Sequence, residues 1–209
     1  DTRQAAVRVL EQSGITFGPE RVPQEAGLSP LTVTRDRESE AIVAQTLLGD
    51  VSREGENDVR HRYSSVQGTA EFSMNGTFSV RFQPGAWAKE HERSYEDASQ
   101  SCLERIDFQG TLISSESGER PGQTVLTYYQ NWEGTPLFSC QVTLLWQDDT
   151  LLRMEGQRLS GTVTSSSEEE TLSAATVLVR FLAGVTEGGF VCSRIDEMNA
   201  GYLIVSGTT

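Results

Sequence analysis

Chemistry-bearing side chains are scarce in this sequence: its 209 residues include two histidines, His61 and His91, and three cysteines, Cys102, Cys140 and Cys192. Three cysteines spaced so widely make neither a disulfide framework nor a zinc site with paired ligands, so each is read as a small apolar packing residue. A Cys102–Cys140 bridge is conceivable, between a helix face and the inner face of a hairpin. No apolar run approaches the roughly 18–20 residues of a membrane span, and no basic-then-apolar leader opens the chain. Basic residues are outnumbered 17 to 30 by acidic ones. The resulting net charge of −13 repels phosphate backbones and anionic headgroups, which argues against nucleic-acid binding and direct membrane-surface binding. Also missing are a phosphate-cradling glycine motif, a G-x-S-x-G nucleophile elbow and the spacing of a calcium loop.

What the sequence does carry is a long hairpin, from Tyr128 to Val142. With Glu133 and Gly134 as a two-residue turn, Trp132 falls opposite Thr135, Tyr129 opposite Phe138, Thr127 opposite Cys140 and Val125 opposite Val142. That register gathers apolar side chains on one face, the mark of a sheet scaffold. A hydrophobic content of 36% suffices for an ordinary buried core at this length.

Around the hairpin the elements repeat. Thr2 to Ser13 reads as a helix with Ala5, Ala6, Val9 and Leu10 on one side and Gly14 to end it. Pro19, Pro23 and Pro30 make Gly14 to Leu31 an extended connector. A helix over Arg37 to Leu48, with Asp36 as N-cap and Gly49 as stop, leads through a charged loop, Val51 to Asp58, to strands Val59–Val66, Thr69–Ser73 and Thr77–Phe82. The turn between the last two is read as a three-residue loop with Gly76 left-handed, because that sets Phe72 opposite Phe78 and Ala70 opposite Val80. Ser94-x-x-Asp97 caps a second helix with Ala98, Cys102, Leu103 and Ile106 inward. A polar loop through Pro121 and Gly122 then enters the hairpin, and Asp148-Asp149 turns it into a strand from Leu151 to Leu159. A third helix, capped by Ser173 or starting earlier at Ser167-x-x-Glu170, carries Val177, Leu178, Phe181, Leu182 and Val185.

The expected fold class is therefore α+β: tandem helix-plus-antiparallel-sheet units, the last incomplete. The divisions are 1–35 for the N-terminal helix and connector, 36–90 and 91–165 for two helix-plus-three-strand units, and 166–209 for a truncated third. Each short helix is marginal alone and is expected to lie on a sheet.

Neither histidine assembles a site in the sequence. His61 alternates with Arg60 and Arg62 in a strand and shares a face with Tyr63, and His91 sits between Glu90 and Glu92 in a connector whose adjacency suits metal ligation poorly. Asn75-Gly76-Thr77 matches a glycosylation acceptor that turn chemistry also explains. No catalytic residue, cofactor or metal site is assigned. The residues expected to contact a partner are Trp132, Glu133 and Gly134 at the hairpin tip, together with Tyr202.

The pattern Tyr128-x-Gln130-x-Trp132-x-Gly134-x-Pro136-x-Phe138 resembles the tyrosine, glutamine, aromatic, glycine, proline, phenylalanine signature of YycH/YycI-type regulatory proteins of two-component systems. Phe181-Leu182, Gly189 and Ile195-x-x-Met198-x-x-Gly201-Tyr202 are similar to the helix, glycine break and Gly-Tyr strand of those proteins. The resemblance implies tandem PepSY-like modules outside the cytoplasmic membrane of a bacterial envelope. They would be tethered by a helix upstream of Asp1, completed by an aromatic-rich strand after Thr209, and would regulate a membrane sensor histidine kinase by protein-protein contact. No catalytic residue or cofactor comes with it. The alternative expectation is a secreted ligand-binding or inhibitor module of PepSY-like fold.

Overall fold

The structure is a computed structural model that describes residues 2–19, 31–57, 60–165 and 172–204. From the N-terminus it forms α1 (Thr2–Gln12), β1 (Thr16–Phe17), β2 (Leu31–Arg35), α2 (Glu38–Leu48), β3 (Ser52–Asn57), β4 (Arg60–Ser65), β5 (Gly68–Ser73) and β6 (Thr77–Phe82). There follow α3 (Tyr95–Glu104), β7 (Gly110–Ser117), β8 (Gln123–Trp132), β9 (Thr135–Gln147), β10 (Thr150–Gln157), β11 (Gly161–Ser165), α4 (Ala174–Glu187) and β12 (Arg194–Ile195). The chain divides into two compact units, Asp1–Thr32 with Thr164–Ala200, and Val33–Val163 with Gly201–Thr209. It passes from one to the other within β2 and within β11, which pair as a two-stranded ribbon.

The larger unit is built on one eight-stranded antiparallel sheet in the order β3-β4-β5-β6-β10-β9-β8-β7. Its two halves repeat one plan, a helix followed by a four-stranded meander, and they join through their last strands, β6 and β10, with Val80 opposite Met154. One face of the sheet is apolar. Tyr63, Ala70, Phe72, Phe78, Val80, Leu126, Tyr128, Val142, Leu144, Trp146, Leu151 and Met154 are buried in a single core with Val43, Ala44, Leu47 and Leu48 of α2 and Ala98, Cys102 and Leu103 of α3. Alternate positions such as Arg62, Glu71 and Thr143 belong to the more polar opposite face, the one-sided pattern of an antiparallel sheet roofed by helices. An eleven-residue helix such as α2 is marginal by itself. Burying Val43, Leu47 and Leu48 at about 1.5–3 kcal/mol each outweighs that deficit, so packing holds the helix.

The structure agrees with much of the expected pattern and corrects particular elements. Phe72 lies opposite Phe78 and Ala70 opposite Val80 with Gly76 at φ 86°, the expected three-residue turn, and the two rings stack at 6.0 Å. Ser94 Oγ accepts the Asp97 N–H at 3.0 Å, as its spacing predicts. Each half, however, has four strands where three were expected. Ser52–Asn57, read as a charged loop, is the edge strand β3, and β7 forms the opposite edge within the stretch read as polar loop. Edge strands are paired on one side only, and β7 is exposed along most of its length, so neither shows the alternation that reveals a half-buried strand. Residues Leu31–Arg35, expected in the connector, form β2. Pro23 and Pro30 of that connector, and the rival helix start at Ser167–Glu170, lie outside the described residues.

In the smaller unit α4 does not roof an antiparallel sheet. It packs on α1: Ala175 and Leu178 are buried with Ala6, Leu10 and Ile15. Beside them β1 and β12 pair in parallel, Thr16 with Arg194 and Phe17 with Ile195. A helix stripe specifies that something must cover it, and two amphipathic helices far apart in sequence satisfy each other as well as a sheet would. Ser173 is the N-cap, accepting the Thr176 N–H at 3.2 Å. Val177 and Phe181 of the expected stripe are 40% and 39% exposed, and the buried line runs instead through Ala174, Ala175 and Leu178.

Candidate functional site

At the hairpin tip Glu133 and Gly134 have φ 48° and 79°, the paired left-handed conformation of a type I′ turn. Trp132 lies opposite Thr135, Asn131 opposite Pro136 and Gln130 opposite Leu137. The register then shifts, so that Tyr129 faces Gln141 and Val125 faces Leu145, which corrects the expected pairs of Tyr129 with Phe138, Thr127 with Cys140 and Val125 with Val142. Phe138, Ser139 and Cys140 form the bulge, and its three-residue shift turns Leu126 and Tyr128 of β8 inward in place of the expected Val125, Thr127 and Tyr129, leaving Phe138 exposed.

The bulge receives the end of the described chain. Tyr202 N–H donates to Pro136 O at 2.7 Å, Phe138 N–H donates to Tyr202 O at 2.9 Å, and Ile204 N–H donates to Ser139 Oγ at 2.8 Å. A Cβ on Gly201 would lie 2.5 Å from Pro136 O, so glycine is what permits the close approach. The result sets the Tyr202 ring edge-on to Trp132, with centroids 6.1 Å apart. Of the four expected contact residues, Trp132 and Tyr202 thus meet, half-buried, and Glu133 and Gly134 are exposed beside them.

Trp132 and Glu133 also line a pocket of about 610 Å³. Leu126, Tyr128 and Gln130 continue one buried stripe along β8, and the stripe turns polar at Gln130, which is 5% exposed. Gln130 Oε1 accepts the Leu159 N–H at 2.7 Å, which fixes the amide orientation. Its Nε2 has no partner among the described residues. Beside it Arg158 donates to Ser39 Oγ at 2.9 Å and Ile106 O at 3.4 Å. Desolvation holds the guanidinium below its usual pKa range, opposed by the nearby carboxylates of Asp107, Glu40 and Asp36. Asp36 borders the pocket and its Oδ1 accepts the Glu38 N–H at 2.8 Å, but the N-cap position of α2 is Arg37, without a side-chain cap bond, in place of the expected Asp36.

Asp107 occupies an unusual backbone position. Phe108 N–H donates to Leu103 O and Asp107 N–H to Glu104 O, the Schellman closure of a helix, with Asp107 left-handed at φ 56°. In α1 and α4 the equivalent places are held by Gly14 and Gly189. An aspartate thus holds a place that glycine holds in α1 and α4, and it lines the pocket.

The histidines lie elsewhere. His61 is buried on the inner face of β4, with Nδ1 2.8 Å from Glu40 Oε2. His91 pairs with Asp149 at 3.0 Å, a partner distant in sequence, in place of its flanking glutamates. Among the described residues no cluster of three or more potential metal ligands occurs. Gln130, Arg158 and Asp107 are not among the site residues that the sequence pattern predicts. Gln130 alone left a signal, a polar residue interrupting Leu126, Tyr128 and Trp132 at strand spacing; the other two are brought in by loop geometry.

No family model and no curated protein matches the chain. Among solved structures, an uncharacterized protein from Eubacterium rectale is similar over 93% of this chain and 77% of its own, with a TM-score of 0.54 and 9% identity. The C-terminal domain of YpeB from Bacillus megaterium is similar over 68% of this chain and 71% of its own, with a TM-score of 0.35 and 14% identity. The first likeness is one of fold alone, and the second is too loose to bear on this chain.

Proposed function

We propose that the chain is a non-enzymatic extracytoplasmic regulatory domain, PepSY-like in plan, that acts by protein contact on a membrane sensor histidine kinase. In this reading a helix upstream of Asp1 anchors it to the bacterial cell membrane. The observation that carries the reading is the Trp132–Tyr202 pair, with ring centroids 6.1 Å apart at a hairpin tip whose Glu133 and Gly134 are exposed. Aromatic anchors of this kind supply much of the energy at protein interfaces. The signature from Tyr128 to Phe138 supports the choice of partner class, because the residues that shape the tip are those that resemble YycH/YycI-type regulators. The test is binding of the purified chain to sensor-kinase extracellular segments by biolayer interferometry. Trp132→Ala is expected to weaken binding at least tenfold, and an unchanged Kd removes the tip from the interface.

A second reading, a secreted ligand-binding module, is favoured by one observation: the buried Gln130 amide, lining the pocket, whose nitrogen has no partner among the described residues. A melting temperature raised by a small molecule or peptide, without any kinase segment, supports it.

A further inference from the structure

We infer that the pocket beneath the hairpin tip binds the carboxylate of a ligand that also carries a positive charge: a free basic amino acid, or a basic residue ending a peptide. This deepens the ligand-binding reading and rests on it, in a pocket that shares Trp132 and Glu133 with the tip.

The first ground is the Gln130 amide. A buried N–H group left without an acceptor costs about 1–3 kcal/mol, and native proteins seldom leave one without a reason. Because Oε1 is committed to the Leu159 N–H, the group left for the pocket is Nε2, a pure donor. The second is Arg158, another pure donor, whose hydrogen bonds among the described residues go to the neutral acceptors Ser39 Oγ and Ile106 O. Two donor groups on one pocket call for a group that only accepts. A carboxylate is planar, charged and matched to the guanidinium fork.

The third ground is charge. The pocket lining carries one cation, Arg158, against Asp36, Asp107 and Glu133. A simple anion such as phosphate meets that excess of negative charge, and a simple cation leaves the donors unmet. A ligand bearing both charges satisfies each set. Its carboxylate meets Gln130 and Arg158, its ammonium or guanidinium faces the aspartates, and the indole of Trp132 offers a further face to the cation. A volume of about 610 Å³ suits one or two residues. The strain at Asp107 is then intelligible, since glycine would end the helix without supplying a carboxylate.

The experiment titrates the protein with L-arginine, Ala-Ala-Arg and Ala-Ala-Arg amide by isothermal calorimetry, and follows the Trp132 indole and Gln130 side-chain amide signals by NMR. The expected result is saturable binding of an acid form, at least tenfold weaker for the amide, with both signals moving. Equal affinities for L-arginine and Ala-Ala-Arg identify the free amino acid, and a peptide at least tenfold tighter identifies a chain terminus. Gln130→Met and Arg158→Lys are each expected to reduce affinity at least tenfold. The second keeps the charge and serves where the first disturbs folding. No binding at millimolar concentration, or an amide bound as well as the acid, overturns the assignment.

Discussion

Glu40 and His61, 21 residues apart in sequence, meet at 2.8 Å between α2 and β4. Their side chains are 3% and 8% exposed, so α2 is tied to its sheet by a polar contact as well as by its leucines. Removing the Glu40 carboxylate leaves the buried His61 ring without this contact, a change that costs about 2–4 kcal/mol. Glu40→Ala is expected to destabilise by that amount in urea unfolding, and Glu40→Gln, which keeps an oxygen for the ring N–H, by less than half as much. Equal losses for the two variants would show that the contact itself contributes nothing.

Replacing the strained aspartate offers the opposite sign. Asp107→Gly relieves a left-handed conformation worth about 1–2 kcal/mol in an L residue, offset in part by the greater freedom of glycine in the unfolded chain. The net expectation is a gain of about 0.5–1 kcal/mol, or a melting temperature raised by roughly 1–4 °C for a chain of this size. The same variant should bind a cationic carboxylate ligand several-fold more weakly. A protein that gains stability and keeps its ligand affinity would make Asp107 a mere irregularity of the helix end.

How much of this was legible beforehand depends on what each residue answers to. The Phe72–Phe78 turn, the Ser94 cap and the inner faces of α2 and α3 follow from local spacing, because burial on one side forces periodicity. Strands β3 and β7 escape that logic, being edges. The bulge at Phe138–Cys140 escapes it too, because the shifted and unshifted hairpins each turn an apolar row of β9 inward, against opposite faces of β8, and the Tyr202 backbone that binds Pro136 and Phe138 lies more than 60 residues further on. The pairing of α1 with α4 is equally non-local. At the site, Trp132 and Tyr202 were visible as aromatics near a turn and near a glycine. Arg158 and Asp107 looked like ordinary loop charges until the fold set them around Gln130.

The cysteines give a pH signature. All three are free, and Cys102 and Cys140 are fully buried. Burial pushes the Cys102 thiol from 9.0 up to about 12 and the Cys140 thiol from 9.0 up to about 11. Between the unfolded and folded values the unfolded chain has lost its protons while the native chain keeps them. Stability is therefore complete below pH 9 and falls as pH rises toward 11, by about 1.4 kcal/mol per unit for each thiol. Unfolding curves at pH 8, 9 and 10 should show that decline, and a Cys102→Ala, Cys140→Ala double variant should flatten it. At pH 8 a thiol reagent should label Cys192, which is partly exposed, and leave the other two untouched until the protein unfolds.

Beneath α3, Trp146 Nε1 donates to Ser99 Oγ at 2.8 Å, with the two residues 1% and 0% exposed. Ser99 is a polar side chain on the buried face of a helix, and the indole explains why it is tolerated there. Ser99→Ala strands the indole N–H at a cost of about 1–3 kcal/mol, while Trp146→Phe removes the donor together with part of the ring. In the double variant no donor is left unmet, so the combined loss should fall short of the sum of the single losses by about 1 kcal/mol. Urea unfolding of the four proteins measures this coupling directly. Strict additivity would mean that the hydroxyl and indole are neighbours without energetic consequence, and that α3 is held on the sheet by its apolar stripe alone.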